Sequence, residues 1–186
     1  MILIDNIIEE IINIYRNNHK LYICGNGGSA THSEHFAAEL VVNFKIREHE
    51  QNTGFETGHS KLLKGFPAIS LNSQNAIITA ISNDIGYEYI FSQQINVYAN
   101  PSDMLICFST SGRSPNIINA LRTAKHMGLI TVLFTSEKYT SNYDFVDYIV
   151  KANTKETSVA QEHHLEIIHY ISEQIERRLF RKKEII

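Results

Sequence analysis

The sequence predicts an α/β fold of three layers, α/β/α, with five parallel strands in its central sheet. Short apolar runs alternate along the chain with segments whose apolar residues recur at helical spacing, and this alternation is typical of parallel βαβ units. The first apolar run ends in a glycine-rich turn that leads straight into a helical pattern, which is how α/β proteins build anion sites. Because single domains commonly hold about 100–200 residues, we expect one domain over residues 1–186.

The chain is expected to open with a helix inside an N-terminal region of residues 1–19. The apolar residues from Leu3 to Tyr15 follow helical spacing, and an Asn-Asn pair then breaks the pattern. A strand is expected next at 21–24, followed by a helix at 29–44.

A polar segment, 45–65, contains glycines and charges without a sustained period, and we expect it to form a long surface loop or lid. The later strands are expected at 66–72, 104–108, 130–134 and 146–150. The later helices are expected at 73–82, 87–98, 114–128 and 158–180. A break at 83–86 separates the first two of these helices, and Ser114 followed by Pro115 is a typical helix start.

Composition excludes several classes of protein. The net charge of −3 argues against a nucleic-acid-coating surface, and we interpret the basic stretch 177–183 as a solvated helix end. No apolar run reaches the roughly 18 residues of a membrane span, and the N-terminus lacks the basic region of a signal peptide. Cys24 and Cys107 lie in apolar runs, which indicates buried free thiols in a reducing cytoplasm.

The glycine turn formally fits a loose dinucleotide-binding pattern, Gly25-x-Gly27-x-x-Ala30. A nicotinamide dehydrogenase would need an acidic residue at the end of the second strand to hold the ribose hydroxyls. That strand ends in Leu71-Asn72-Ser73 instead, so a dinucleotide is disfavoured.

A second loop suits a phosphate. Residues 109–114 offer four hydroxyls and a glycine directly before a helix, so side-chain and backbone donors can surround one phosphate group. The alternative is plain capping of that helix, which Ser114 alone would satisfy. With no lysine in a nucleotide-binding pattern, the phosphate would belong to a small metabolite rather than to ATP.

His35 and Glu39 lie four residues apart, so both project from one face of the helix that follows the glycine turn. Gln161 and His169 lie on the last helix, and together the four side chains could form a metal site or an acid/base site. The alternative is an ordinary surface pair. His163 and His164 are adjacent and point to different faces, so only one of them could join.

The glycine turn, the His35 helix and the hydroxyl loop are part of a series of five sequence blocks. The blocks are Gly25-Asn26-Gly27-Gly28-Ser29-Ala30, His35-Phe36-Ala37-Ala38-Glu39-Leu40, Asn83-Asp84-x-Gly86-Tyr87-Glu88, Ser109-Thr110-Ser111-Gly112-x-Ser114-Pro115-Asn116, and Gln161-Glu162 before His169. In this order they resemble the sugar isomerase (SIS) family, and the resemblance covers most of the chain from Leu21 to about Glu176.

The resemblance implies a flavodoxin-like SIS domain, a homotetramer with active sites between subunits, and one zinc ion per subunit. It also implies isomerisation of sedoheptulose 7-phosphate to D-glycero-D-manno-heptose 7-phosphate, the first step of bacterial heptose synthesis for lipopolysaccharide or capsule. By position, the zinc ligands would be His35, Glu39, Gln161 and His169. The substrate would contact Asn26, Gly27, Gly28, Glu39, Asn83, Asp84, Ser109, Thr110, Ser111, Ser114 and Gln161.

In this reaction a base moves a proton between C1 and C2 through an enediol while a second group handles the oxygens. The resemblance implies Glu39 as the base and His169, with a metal polarising the oxygens, as its partner. A non-catalytic SIS protein that binds the bacterial replication initiator is the competing interpretation, and a sugar-phosphate-sensing regulator is a third. Retention of both Glu39 and His169 favours the enzyme, and no segment resembles a helix-turn-helix domain.

Four features depart from the family. The region before the first strand is shorter than usual, and 45–65 is longer. Gln74 stands where the family often has aspartate, and Asn43 stands where it often has arginine.

Overall fold

The computed structural model describes residues 2–42, 44–45 and 63–180, and these contain one sheet of five parallel strands. The strands are β1 Leu21–Gly25, β2 Ala68–Ser70, β3 Met104–Phe108, β4 Ile130–Ser136 and β5 Tyr148–Ala152. The helices are α1 Ile2–Arg16, α2 Gly28–Val42, α3 Asn75–Asp84, α4 Ser92–Tyr98, α5 Pro115–His126 and α6 Thr157–Leu179. The order across the sheet is β2-β1-β3-β4-β5, so the predicted three-layer class and its flavodoxin-like strand order are confirmed.

Helices cover both faces of the sheet. Helices α1, α2 and α6 contribute to the core on one face, where α1 buries five isoleucines at helical spacing. Helices α3, α4 and α5 contribute to the core on the other face. Every residue of β1 and β3 is buried, as expected for central strands covered on both sides. Cys24 and Cys107 are buried, free and paired in register, with their sulfur atoms 3.4 Å apart.

The elements between β2 and α4 differ from the sequence prediction. Strand β2 is shorter than 66–72 because it lies at the sheet edge, and Pro67 offers only its carbonyl, which accepts the N–H of Leu21. The predicted break at 83–86 is wrong in its first half, since α3 continues through Asp84. The predicted helix 87–98 is also wrong: a 3₁₀ turn at Tyr87–Tyr89 precedes α4, after Gly86 adopts a φ of 131°.

Nearly all of the predicted surface loop 45–65 lies outside the described residues, and so does Asn43. After this gap the chain returns beside the end of α2, where the N–H of Phe66 donates to the carbonyl of Leu40 at 2.7 Å. Among the helices of the described ranges, none combines the length and the apolar content needed to cross a bilayer.

Candidate active site

The candidate site lies at the carboxyl ends of β1 and β3, two neighbouring strands at the centre of the sheet. The chain leaves β1 for α2 on one face, and it leaves β3 for α5 on the other. A crevice forms where neighbouring connections diverge in this way, and α/β proteins bind their ligands there.

The turn between β1 and α2 brings backbone close to the helix start. Gly25 has no room for a side chain, since a Cβ atom there would lie 2.3 Å from the carbonyl oxygen of Ser29. Gly27 adopts a φ of 55°, a conformation that favours glycine. The first turn of α2 contains no acidic residue, so its N–H groups and the helix dipole favour an anion there.

Asn72, at the end of the segment that follows β2, holds this turn in place. Its side chain accepts the N–H of Gly25 at 3.1 Å and donates to the carbonyl of the same residue at 2.9 Å. The hydroxyl of Ser33 donates to the same side-chain oxygen at 2.8 Å. Asn72, which stands where a dinucleotide-binding protein would need an acidic residue, therefore supports the glycine turn. The sequence alone did not reveal this role.

Asn26 joins the glycine turn to α5. Its amide nitrogen donates to Asn116 at 2.9 Å, and the amide of Asn116 donates back at 2.8 Å. Tyr87 donates its hydroxyl to the same Asn26 oxygen at 3.3 Å. Asn116 and Tyr87 belong to the five sequence blocks but are not among the predicted site residues. Because the Asn26 amide is occupied in this way, its backbone N–H is the group better placed to serve a ligand.

The hydroxyl loop, residues 109–114, is a tight turn before α5. The hydroxyl of Ser109 accepts the N–H of Gly112, and that of Ser111 accepts the N–H of Arg113, each at 3.2 Å. The carbonyl of Thr110 accepts the hydroxyl of Ser136 at 2.6 Å. Ser114 occupies the cap position of α5, yet its side chain makes no capping hydrogen bond. Capping of α5 therefore does not account for the Ser114 side chain.

His35, Glu39 and His169 converge between α2 and α6. One oxygen of Glu39 lies 2.8 Å from Nε2 of His35 and 3.4 Å from Nε2 of His169, and the two nitrogens are 3.1 Å apart. The Glu39 side chain is about one-tenth exposed, and its other oxygen is buried without a hydrogen-bond partner in the described structure. The contact with His169, 134 residues from His35, makes this cluster more than an ordinary surface pair.

This donor set suits a metal ion. Two imidazoles and a carboxylate are a known catalytic zinc set, which leaves further positions for substrate or water. The partnerless buried oxygen of Glu39 is a second indication, since buried polar atoms normally have a partner.

Gln161 lies on α6 as His169 does, but more than two turns nearer to the start of the helix. Its amide packs so closely on Gly28 that a Cβ atom there would lie 2.7 Å from the Gln161 nitrogen. Gly28 starts α2, about 10 Å along the helix from His35. The structure thus brings three of the four predicted metal ligands together and places Gln161 at the glycine turn.

Neither of the adjacent histidines on α6 joins the cluster. His163 is exposed. His164 is fully buried and packs against Phe108 and Phe134, with Nε2 bonded to the carbonyl of Thr135 at 2.9 Å. Burial lowers the pKa of His164 to about 4, so its ring is neutral near pH 7.

Asn83 and Asp84 are exposed at the end of α3, where the Asn83 amide donates to Asp84 at 2.7 Å. They precede Tyr87, which reaches Asn26, by only a few residues. Their predicted contact with substrate stays a prediction.

Known proteins that resemble this chain belong to the family that the sequence blocks suggest. The profile of a family described as "SIS domain" matches residues 3–136. A phosphoheptose isomerase of Roseiflexus sp. (strain RS-1) is 38% identical over 94% of this chain and 81% of its own length. One from Synechocystis sp. is 36% identical over 98% of this chain and 86% of its own.

Solved structures agree with these relatives. A phosphoheptose isomerase from Francisella tularensis superposes with a TM-score of 0.78 at 26% identity, covering 94% of this chain and 85% of that one. One from Neisseria gonorrhoeae gives 0.77 at 26% identity over 93% and 84%.

Proposed function

This chain belongs to the SIS domain family, and we propose that it is an aldose–ketose isomerase that converts sedoheptulose 7-phosphate to D-glycero-D-manno-heptose 7-phosphate. The observation that carries the proposal is the convergence of Glu39 with His35 and His169 on helices that also border the glycine turn. Relatives named phosphoheptose isomerase, matched over nearly the whole chain, support the choice of substrate.

The phosphate of the substrate binds at the hydroxyl loop. Ser109, Thr110, Ser111 and Ser114 supply hydroxyl donors there. The N-terminus of α5, whose first turn has no acidic residue, adds backbone N–H groups and a favourable dipole. The hydroxyl of Ser114, unused in capping, is available for this purpose.

The sugar chain extends from there towards the glycine turn and the Glu39 cluster. Asn26, Gly27 and Gly28 of that turn contribute to the proposed contacts, and Gln161 lies against Gly28 where its amide can reach a hydroxyl of the substrate. Asn83 and Asp84 complete the proposed set of substrate contacts.

Glu39 moves the proton between C1 and C2, and His169 exchanges protons with the oxygens on those carbons. Nε2 of His169 already points at the Glu39 carboxylate, so one substrate edge can contact both groups. The isomerisation consumes no net proton or electron, because the proton removed from one carbon is returned to its neighbour while the oxygens exchange theirs, so a base and one acid/base partner are sufficient.

We assign a divalent metal, zinc, to the converging side chains His35, Glu39 and His169. The resemblance to the family implies Gln161 as a fourth protein ligand, and in this structure its amide lies at the glycine turn. When bound, the metal would polarise the substrate oxygens. An amide oxygen is an unusual zinc ligand, so the affinity is expected to be modest.

The assembly proposed is a homotetramer whose active sites lie between subunits. Exposed apolar side chains support it: Ile2, Leu3, Val159 and Tyr170 are exposed on α1 and α6, and Ile4, Glu166, Ile167 and Tyr170 line a groove between these helices. Closed oligomers bury such surfaces.

We further propose that residues 1–186 form one SIS domain acting in the cytoplasm, where the two buried free thiols would remain reduced. The product would enter bacterial heptose synthesis for lipopolysaccharide or capsule.

The decisive experiment is incubation of the purified protein with sedoheptulose 7-phosphate while aldose formation is followed. Conversion that disappears after exhaustive chelation and returns with zinc would support both the reaction and the metal. Full activity in chelated protein with no metal by elemental analysis would contradict the catalytic metal. No conversion, with intact zinc binding, would favour a non-catalytic SIS protein that binds the replication initiator.

A further inference from the structure

An aromatic ring covers one face of the proposed catalytic histidine. Phe44, just beyond the end of α2, stacks on the imidazole of His169 with ring centroids 5.3 Å apart and an interplanar angle of 17°. Nε2 of this imidazole contacts Glu39 and His35. The phenyl ring packs against one face of the imidazole and therefore limits its rotation.

Phe44 is itself held by a buried carboxylate. Glu176 of α6 is only 4% exposed, and its two oxygens accept the N–H groups of Phe44 and Lys45, each at 2.8 Å. Hydrogen bonds to a charged acceptor are stronger than neutral ones, and burial protects these from water. Removing the carboxylate would leave two backbone donors without these partners.

Glu176 and His169 lie on the same face of α6. They are seven residues apart, which is close to two full turns, so the carboxylate stands directly along the helix from the imidazole. One rigid helix thus carries both the histidine and the group that fixes the ring stacked on it.

An exposed ion pair also connects the segment of Phe44 and Lys45 to α6. Nζ of Lys45 lies 2.8 Å from Glu173 and 5.0 Å from the centre of the Phe44 ring. The hydrogen bond with Lys45 lowers the pKa of Glu173. This ion pair is largely exposed, so it is expected to contribute little. It offers a matched control, because it is anchored on the same helix and the same loop.

We propose that Glu176 is a positioning residue for the isomerase reaction. By fixing the backbone of Phe44, it sets the phenyl ring against His169 and directs Nε2 of His169 towards Glu39 and His35. The role assigned to Glu176 rests on the proposed function, because the reaction and the metal give the orientation of His169 its purpose. The contrary view is that Glu176 merely ties the end of α2 to α6.

The test compares four variants of the full chain: Phe44→Leu, Glu176→Gln, the rescue variant Phe44→Tyr and the control Glu173→Gln. Four quantities are measured for each: the zinc dissociation constant by competition with a chromophoric chelator, kcat and KM for sedoheptulose 7-phosphate, and the thermal midpoint. Phe44→Leu keeps the backbone N–H groups that Glu176 binds, so this variant tests the ring even where Glu176→Gln folds poorly.

The following results would support the positioning role of Glu176. Phe44→Leu and Glu176→Gln should each weaken zinc binding and lower kcat by roughly tenfold or more, as is typical when partners of metal-binding histidines are removed. KM should change by less than about threefold, because the phosphate binds at the hydroxyl loop. Phe44→Tyr, which preserves the stacked ring, should restore both quantities, and Glu173→Gln should stay within about twofold of the native protein.

A lower thermal midpoint in Phe44→Leu and Glu176→Gln, with native zinc affinity and native kcat, would overturn the positioning role in favour of a structural tie. Failure of the proposed function is distinguishable from this result. A native protein that binds zinc but does not isomerise the substrate would refute the reaction, while the zinc affinities of the four variants would still decide the role of Glu176.

Discussion

The side chains of Asn26 and Asn116 exchange two hydrogen bonds, at 2.9 and 2.8 Å, across the crevice between the two central strands. Asn26 belongs to the turn after β1, and Asn116 lies in the first turn of α5, after β3. Asn116 is only 2% exposed, and its oxygen also accepts the N–H of Ile117 at 3.0 Å. The pair therefore couples the glycine turn to the start of the helix that borders the proposed phosphate site.

The first prediction is that Asn116→Ala weakens substrate binding. Loss of the pair leaves the Asn26 amide without its main partner, at a cost of about 1–3 kcal/mol, and uncouples the two loops. KM and the dissociation constant from calorimetry should both rise by roughly tenfold, with a smaller change in kcat. Asn119→Ala is the matched control, because its amide on the same helix donates to the carbonyl of Glu88 at 3.0 Å. Equal effects of the two variants would contradict a specific role for Asn116.

The second prediction concerns the hydroxyl loop. Ser111→Ala removes a hydroxyl proposed to bind the phosphate dianion, and such charged hydrogen bonds contribute about 1.5–3 kcal/mol. KM should therefore rise by roughly tenfold to a hundredfold, while kcat changes by less than about threefold. Ser141→Ala, in the connection between β4 and β5, is the control. A native KM in Ser111→Ala would place the phosphate elsewhere.

Local patterns in the sequence were sufficient to predict the fold. The central strands β1 and β3 are apolar over their whole length because both faces are covered, and the helices show helical spacing with recognisable ends, so the sequence predicts β1, β3, α1 and α5 to within a few residues. Errors fell between β2 and α4, where short elements give weak periodic signals. There the predicted break at 83–86 begins too early, because α3 continues through Asp84, and the helical composition of 87–98 does not reveal the 3₁₀ turn at Tyr87–Tyr89.

The site could be predicted only in part. His35 and Glu39 lie on one helix face, so their pairing follows from spacing. The residue types also suggest His169 as a partner in a metal or acid/base site, and the resemblance to the family gives it a specific role. Phe44 and Glu176 are 132 residues apart, and no local sequence pattern predicts a hydrogen bond between a loop backbone and a distant carboxylate. The same holds for the amide of Asn72, which contacts Gly25 from a neighbouring strand end. Such contacts depend on the sheet order and become visible only in three dimensions.

The third prediction is a pH dependence of stability caused by His164. Above about pH 6.5 the ring is neutral in both the folded and the unfolded chain. Between pH 6.5 and about 4 only the unfolded chain takes up the proton, so folding stability falls as the pH is lowered, by on the order of 3 kcal/mol in total. Burial is the main cause of the lowered pKa, and His32 and His163 add to it.

The variant His164→Gln should lose this dependence, because its amide can still donate to Thr135 but does not titrate in this range. The measurement is urea unfolding of the variant and the native protein at several pH values between 4 and 7. His126→Gln, an exposed histidine in the last turn of α5, is the control and should keep the native slope. An unchanged slope in His164→Gln would show that other groups cause the acid sensitivity.

The last prediction separates chemistry from binding at Glu39. Glu39→Gln keeps the size and hydrogen-bonding capacity of the side chain but removes the basic carboxylate, and loss of a general base typically costs on the order of 10²–10⁴ in rate. Substrate affinity should fall much less, because the proposed phosphate site is separate, at Ser111 and its neighbours. Since the Glu39 carboxylate contacts both His35 and His169, the variant must first be shown to bind the proposed metal as the native protein does. The measurement is exchange of the C1 hydrogen of the substrate with deuterated water, together with direct binding by calorimetry. A Glu39→Gln protein that exchanges this hydrogen at nearly the native rate would exclude Glu39 as the base, and His169 would then be the group to test.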